Sequence, residues 1–426
     1  MKKELAIINP NAAGIDIGSE FHYVCVPEGR DKTRIRKFNC YTGDLHRLAN
    51  WLEECKVDTI ALESTGVYWI PVFDILESRG FKVILVNAKY VKNVPGRKTD
   101  VKDSEWLQQL HSYGLLQGSF RPEEDIRVLR GYTRQRDNLV KSSSTHVQRM
   151  QKALIQMNIQ LHKVISDITG ETGVKIIEAI LNGERNAHKL AELRSNKIKN
   201  TEDTIAASLQ GNYREEHIFS LKQEYEAYKF YQQQIYECDE KIKQYFNEHG
   251  NENNDDTKKN NLSDELHKLA GVDLTKIPGL GALSVQTLIS EIGTNVSKWP
   301  DDKHFASWLG LSPANRITGG KVLSTKTRKV NNRAATVFRL AALAIGKTKN
   351  SSLGAYYRRI RARVGAPKAI TATARKLSCL FYNMLKHGGA YVEKGLSYYE
   401  KTYQEKIIQS LQRKAKALGY QLVNTV

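Results

Sequence analysis

Nowhere in its 426 residues does this chain hold a run approaching the roughly 18 apolar residues of a membrane span, and its opening, MKKELAIINPNAAG, lacks an apolar signal-peptide core. A cytoplasmic protein without a membrane partner is the expectation. Cysteine is also scarce. The five residues Cys25, Cys40, Cys55, Cys238 and Cys379 are scattered, odd in number and never paired as CxxC, so neither a disulfide framework nor a zinc site is signalled. Reduced, mostly buried thiols are expected. A third absence is local: residues 321–376 contain 15 Lys/Arg and no Asp or Glu, whereas a merely solvated surface mixes signs. Across the whole chain 65 Lys+Arg face 46 Asp+Glu, a formal +19, which favours a polyanionic partner, most often nucleic acid.

What is present divides into three textures. Residues 12–120 alternate strand and helix signals. AAGIDIG and HYVCVPE read as a hairpin, RIRKFNC as a third strand, DLHRLANWLEEC as a helix and VDTIALES as a buried strand. A helix around IPVFDILESRG, the strand KVILVN and a helix from about Thr99 through LQQLHSYGLL follow. Three antiparallel strands, then two alternating with helices, predict an α/β mixed sheet in the order of an RNase H-like domain.

From Pro122 long polar helices take over. Val147, Met150, Leu154, Met157 and Leu161 step by 3, 4, 3 and 4, and Ile218, Leu221, Tyr225, Tyr228, Ile235, Ile242 and Phe246 carry a second seam, predicting two arms of a coiled-coil hairpin. Residues 166–212 are too mixed to assign, and NEHGNENNDDTKKNN (247–261) reads as a flexible linker. A mostly α-helical domain begins near Leu266. Its Gly279-x-Gly281 turn before an amphipathic helix is like half of a helix-hairpin-helix element, which offers backbone N–H groups to phosphate, though such a turn also simply joins helices. A loop rich in Gly, Ser, Thr and cations then leads to further helices. The expected division is 1–121 for the sheet domain, 122–262 for the coiled coil with its insertion and linker, 263–389 for the helical domain and 390–426 for a basic helical tail.

Four acids stand out. Asp16 in GIDIG and Glu63 at the end of IALE lie on apolar strands, where a carboxylate without compensation is costly. Asp100 and Asp103 in GRKTDVKDSEWL, three apart on a helix, project from one face, and Thr99 is placed to cap that helix. Carboxylate oxygens of this kind suit Mg²⁺ or Mn²⁺, which take a few carboxylates plus water and substrate phosphate. Singly, the alternative for each acid is an N-cap or surface residue, which for Asp100 weighs equally; together, in a basic chain, they favour a metal. The GIDIG strand also opens the phosphate loop of actin-like ATPases and sugar kinases, but no second Asp-x-Gly strand or Gly-rich adenosine motif follows.

GIDIG, ALESTGVYW and GRKTDVKDSEWL, followed by IPGLG and LGLSPANRITGGKVLSTKTRK, together resemble the DEDD transposases of the insertion-sequence one-hundred-ten family, particularly its eleven-eleven branch. The resemblance covers residues 10–130 and 265–385. It implies a RuvC-like domain joined through a coiled coil to a C-terminal transposase domain, in a prokaryotic, nucleoid-associated recombinase that several relatives run with a bridge RNA. It makes Asp16, Glu63, Asp100 and Asp103 the metal-binding acids. The family's C-terminal serine nucleophile falls, without gaps, on Thr318; Ser324 and Ser312 are the alternatives. A threonine hydroxyl has a serine's acidity with a methyl that restricts its rotamers, and a Thr beside Gly-Gly is otherwise a turn residue.

Lys321, Lys326, Arg328, Lys329 and Arg333 would neutralise DNA phosphates, as would Arg358, Arg359, Arg361 and Arg363. Tyr356 and Tyr357 beside them either stack on bases or, the preferred reading, pack. The leading expectation is a DNA recombinase with an RNA guide, acting as a dimer or tetramer. The alternatives are a RuvC-like nuclease that hydrolyses branched DNA and a non-catalytic nucleic-acid-binding protein.

Overall fold

The computed structural model describes residues 5–64, 66–87, 100–249, 261–348, 351–388 and 396–423. The chain forms two compact units, Met1–Arg121 and Pro122–Val426. Thr99 and residues 250–260 of the expected linker lie outside the described residues.

In the first unit β1 (Ala12–Ile17), β2 (Phe21–Cys25) and β3 (Ile35–Asn39) are followed by α1 (Thr42–Glu54), β4 (Thr59–Glu63), α2 (Trp69–Ser78), β5 (Lys82–Val86) and α3 (Asp100–Ser112). The sheet runs β3-β2-β1-β4-β5, antiparallel from β3 to β1 and parallel from β1 to β5. This is the RNase H-like order. Strand alternation decides the layering: Ile15 and Ile17 point with Leu48, Leu52 and Leu76 into the core under α1 and α2, and Gly14 and Asp16 point to the α3 face.

The second unit is helical. Its arms are α4 (Glu124–Gln156) and α9 (Glu215–His249). Arg136 meets Asp239, Ser143 meets Gln232 and His146 meets Glu224, so rising numbers on one arm face falling numbers on the other. The arms are antiparallel. Between them the short helices α5 (Leu161–Val164), α6 (Glu171–Leu181), α7 (Ala187–Glu192) and α8 (Glu202–Ser208) fold into a head with its own core. Ile176, Ile177, Ile180 and Leu190 pack there on Met150, Leu154 and Leu221 of the arms. The seam therefore ends sooner than its spacing suggests: Asn158 takes a left-handed conformation (φ 57°), and Leu161 belongs to α5, not to the arm.

Beyond the arms come α10 (Leu262–Ala270), α11 (Ala282–Ile292) and α12 (Asp302–Trp308), then β6 (Arg316–Thr318), β7 (Lys321–Ser324), α13 (Arg333–Gly346), α14 (Ser352–Val364), α15 (Ala366–His387) and α16 (Leu396–Ala417). Phe305, Phe338 and Phe381 form the aromatic centre, and Tyr382 donates its hydroxyl to the Trp299 carbonyl at 2.8 Å. Arg134 grips Glu291 of α11 with two bonds of 2.7 and 2.8 Å, and Arg130 donates to the Glu291 carbonyl at 2.6 Å, joining the base of the arms to this helical domain. No helix among the described residues is long and apolar enough to cross a membrane.

Candidate active site

The parallel register pairs Ile15 with Leu62, so Asp16 and Glu63, the next residue of each strand, lie side by side at the C-terminal ends of β1 and β4. Both are half-buried. The direction of α3 brings the other acids to that end. Ile8 N donates to Ser112 O at 2.8 Å, Asn9 Nδ2 to His111 O at 2.7 Å and Gln108 Nε2 to Ala12 O at 3.2 Å, while Gly14 abuts Ser104 and Gln108. Each step along the strand thus meets an earlier residue of the helix. The first turn of α3, with Asp100 and Asp103, consequently points toward the strand ends that carry Asp16 and Glu63. A helix N-terminus carries partial positive charge, which favours acids there.

Asp103 is half-buried, and the Asp100 side chain lies outside the described residues. Among the described residues no three His, Cys, Asp or Glu side chains are gathered closely enough to hold a metal ion. The strand ends and the first turn of α3 share one end of one layer.

The antiparallel register adds two residues that the sequence reading did not single out. Tyr23 lies opposite Asp16, and Lys37 opposite Tyr23, so an aromatic ring and an ammonium occupy the same sheet face beside the acid. Lys37 Nζ is 3.4 Å from the centre of the Phe21 ring. Neither strand by itself signals these two residues, because their place beside Asp16 is set by the cross-strand register.

In the second unit the expected loop is a hairpin. Thr318 pairs with Lys321 and Ile317 with Val322, and Gly319 and Gly320 form the two-residue turn with φ of 55° and 76°. Positive φ at both central residues is what a tight hairpin of this twist requires. Thr318 is exposed at the tip. Ser324 ends β7, and its Oγ accepts from Lys326 N at 3.2 Å. The Ser312 Oγ is buried with no hydrogen-bond partner, a poor position from which to meet a large substrate.

Among the expected phosphate ligands, Lys321, Lys326, Lys329, Arg361 and Arg363 are exposed, and Arg359 is half-buried. Three others also hold the fold. Arg328 donates to the Ser307 carbonyl at 2.6 Å, Arg333 pairs with Asp137 at 3.2 Å, and Arg358 donates to the Thr348 carbonyl at 2.8 Å. Tyr357 is buried, and Lys376 covers the Tyr356 ring at 4.3 Å, so both tyrosines pack. Ahead of α11, Gly279 packs against Ile345 of α13 while Gly281 caps the helix, exposed.

Two family models match the chain. The model of DEDD transposases of the IS110 type covers residues 13–159, and the one described as the transposase IS116/IS110/IS902 family covers residues 272–358. No curated protein matches the chain significantly. The first match contains the strand ends and α3, and the second contains the Gly-Gly hairpin and most of α14. The chain belongs to the IS110 family of DEDD transposases, enzymes that recombine DNA for an insertion sequence.

Proposed function

We propose that this transposase excises and inserts its element by transesterification, with Asp16, Glu63, Asp100 and Asp103 holding Mg²⁺ or Mn²⁺ and the Thr318 hydroxyl attacking DNA. The observation that carries the reading is the shared end of β1, β4 and α3, where two adjacent strand-end carboxylates meet the acidic first turn of a helix. An all-carboxylate donor set fits a hard divalent cation. When bound, such an ion supplies Lewis acidity at the reacting phosphate.

The chain's own residues do the rest. Thr318 Oγ1 loses its proton to solvent and forms a bond to phosphorus as the P–O3′ bond breaks; the departing 3′ oxygen takes a proton from solvent, leaving a 3′-hydroxyl and a phosphothreonyl link. The reverse attack by a 3′-hydroxyl restores the diester, so bond energy is conserved through the exchange. Lys321, Lys326 and Lys329 neutralise the DNA backbone near that hydroxyl. Lys37 and Tyr23 meet the strand that passes Asp16. Selection of sites rests with a bridge RNA, the protein reading backbone shape, and the active species is a homo-oligomer.

The test combines the protein with Mg²⁺, RNA transcribed from the element's flank and paired DNA sites. A protein–DNA adduct and rejoined products are expected, retained in Thr318→Ser and lost in Thr318→Ala. Cleavage without an adduct would favour the hydrolytic RuvC-like nuclease instead. An adduct that survives Thr318→Ala and disappears in Ser324→Ala would move the nucleophile to Ser324.

A further inference from the structure

The hairpin that carries Thr318 has a second face. Ile317 and Val322 are cross-strand partners and therefore share one side of the ribbon, opposite the side shared by Thr318 and Lys321. Ile317 is 59% exposed, Val322 57% and Leu323 68%. These three aliphatic side chains, on strands of three and four residues, stay more than half exposed. A ribbon's outer face is normally polar, so the apolar set calls for an occupant.

The stem beneath is firmly built. Ala314 N donates to Lys326 O at 3.0 Å, Pro313 bridges Thr327, and Arg328 ties the returning strand to the Ser307 carbonyl. A register irregularity between Arg316 and Ile317 puts extra twist just below the tip. The tip is thus a short ribbon with Ile317 and Val322 on one face. Cations flank it at Arg316, Lys321 and Lys326, and 321–376 contains no acid.

We propose that the β6–β7 hairpin is a DNA wedge: Ile317 and Val322 enter between adjacent base pairs while the flanking cations hold the backbone, unstacking a step and turning its phosphate toward the opposite face of the ribbon. Aliphatic side chains flanked by cations are the chemistry by which proteins part a base step and kink a duplex. Charge complementarity selects DNA over a protein partner, because an apolar protein seam has no use for a surround of unopposed lysines and arginines. The inference rests on the reading that this hairpin faces DNA. It does not depend on which hydroxyl attacks.

The experiment uses the full-length protein, with the flanking RNA, on duplexes spanning the element's ends with 2-aminopurine stepped through each position. Binding is followed by anisotropy and unstacking by 2-aminopurine fluorescence. Wild-type protein is expected to raise fluorescence at one step or two neighbouring steps. The double variant Ile317→Ser/Val322→Ser should remove that rise and weaken binding, and Ile317→Val/Val322→Ile should keep both. Because all these side chains are exposed, folding is checked by an unchanged melting temperature. Wild-type binding with no rise at any position overturns the wedge, as does a rise that survives the double serine variant. A changed oligomeric state in that variant, seen by sedimentation with fluorescence intact, also overturns it and makes the face a protein seam. If the fluorescence rise is present and no adduct forms with any hydroxyl, the wedge stands and the transesterification reading fails.

Discussion

Gly14 of β1 and Gln108 of α3 touch backbone to backbone: a Cβ at position 14 would lie 2.3 Å from the Gln108 amide nitrogen and 2.4 Å from the Ser104 carbonyl oxygen. No side chain separates strand from helix there. Gly14→Ala is expected to push α3 off the sheet, lowering stability by about 2 kcal/mol as over-packed sites do, with a matching fall in melting temperature. DNA strand exchange should fall further than the stability loss explains, because the displaced helix carries Asp100 and Asp103. Gln108→Ala, which removes one bond of 3.2 Å to Ala12 O, is the milder control. An unaltered melting temperature in Gly14→Ala would show that the close contact is relieved at no cost.

Asp16→Asn, Glu63→Gln and Asp103→Asn each keep shape and remove charge. On the proposed metal-site reading each should reduce strand cleavage by about a hundredfold or more, because several kcal/mol of phosphate stabilisation would go with a lost ligand. Melting temperature gives an independent readout. Mg²⁺ should raise it in the wild-type protein, as any ligand of the native state does, and should leave it unmoved in these variants; chelation should return the wild-type protein to the variants' behaviour.

His111 titrates well below its usual range, near pH 4, chiefly because burial disfavours the imidazolium and Lys82 opposes it, Asp58 acting the other way. Its Nε2 shares a 2.9 Å hydrogen bond with Thr59 Oγ1. The unfolded chain binds this proton near pH 6.5 and the folded one near pH 4, so stability is full above about 6.5 and declines as pH falls toward 4. The loss amounts to about 3 kcal/mol across that window. Melting curves at pH 7, 6 and 5 should show the decline, flattened in His111→Gln; a wild-type profile level over this range would mean that His111 is protonated at no penalty.

The Glu291 side chain is 8% exposed and accepts from Arg134 Nε and Nη2, with Arg130 Nε 3.4 Å from the same Oε2 that Arg134 Nη2 bonds. Glu291→Gln should cost about 2 kcal/mol, the loss of charge-assisted hydrogen bonds to a carboxylate that is buried although Arg134 is 44% exposed. Limited proteolysis near 261 should rise in the variant if the arm base loosens from α11; unchanged protection would place the fold's hold elsewhere.

The sheet could be read from the sequence because its strands alternate with a period of two and its helices with 3.6, each apolar face marking the core. Asp16 and Glu63 were readable as charges on otherwise apolar strands. Their neighbours Tyr23 and Lys37 were not, since register across a hairpin is a pairing between strands and leaves no trace in either one. The hairpin at 316–324 passed as a loop because its strands bury nothing: without a core face, alternation carries no hydrophobic signal. The head escaped for a different reason. Its helices span four to eleven residues, too short for periodicity, and their core is completed by Met150 and Leu221 from arms distant in sequence. Arg333 read as a phosphate ligand because its partner, Asp137, is 196 residues away.

The two arms have a metric consequence. Thirty-three residues of α4 at 1.5 Å each give an arm of about 50 Å, a span of roughly fifteen base pairs of duplex at 3.4 Å per step. The head is therefore held at a fixed remove from the base of the same arms, a distance set by the length of one helix.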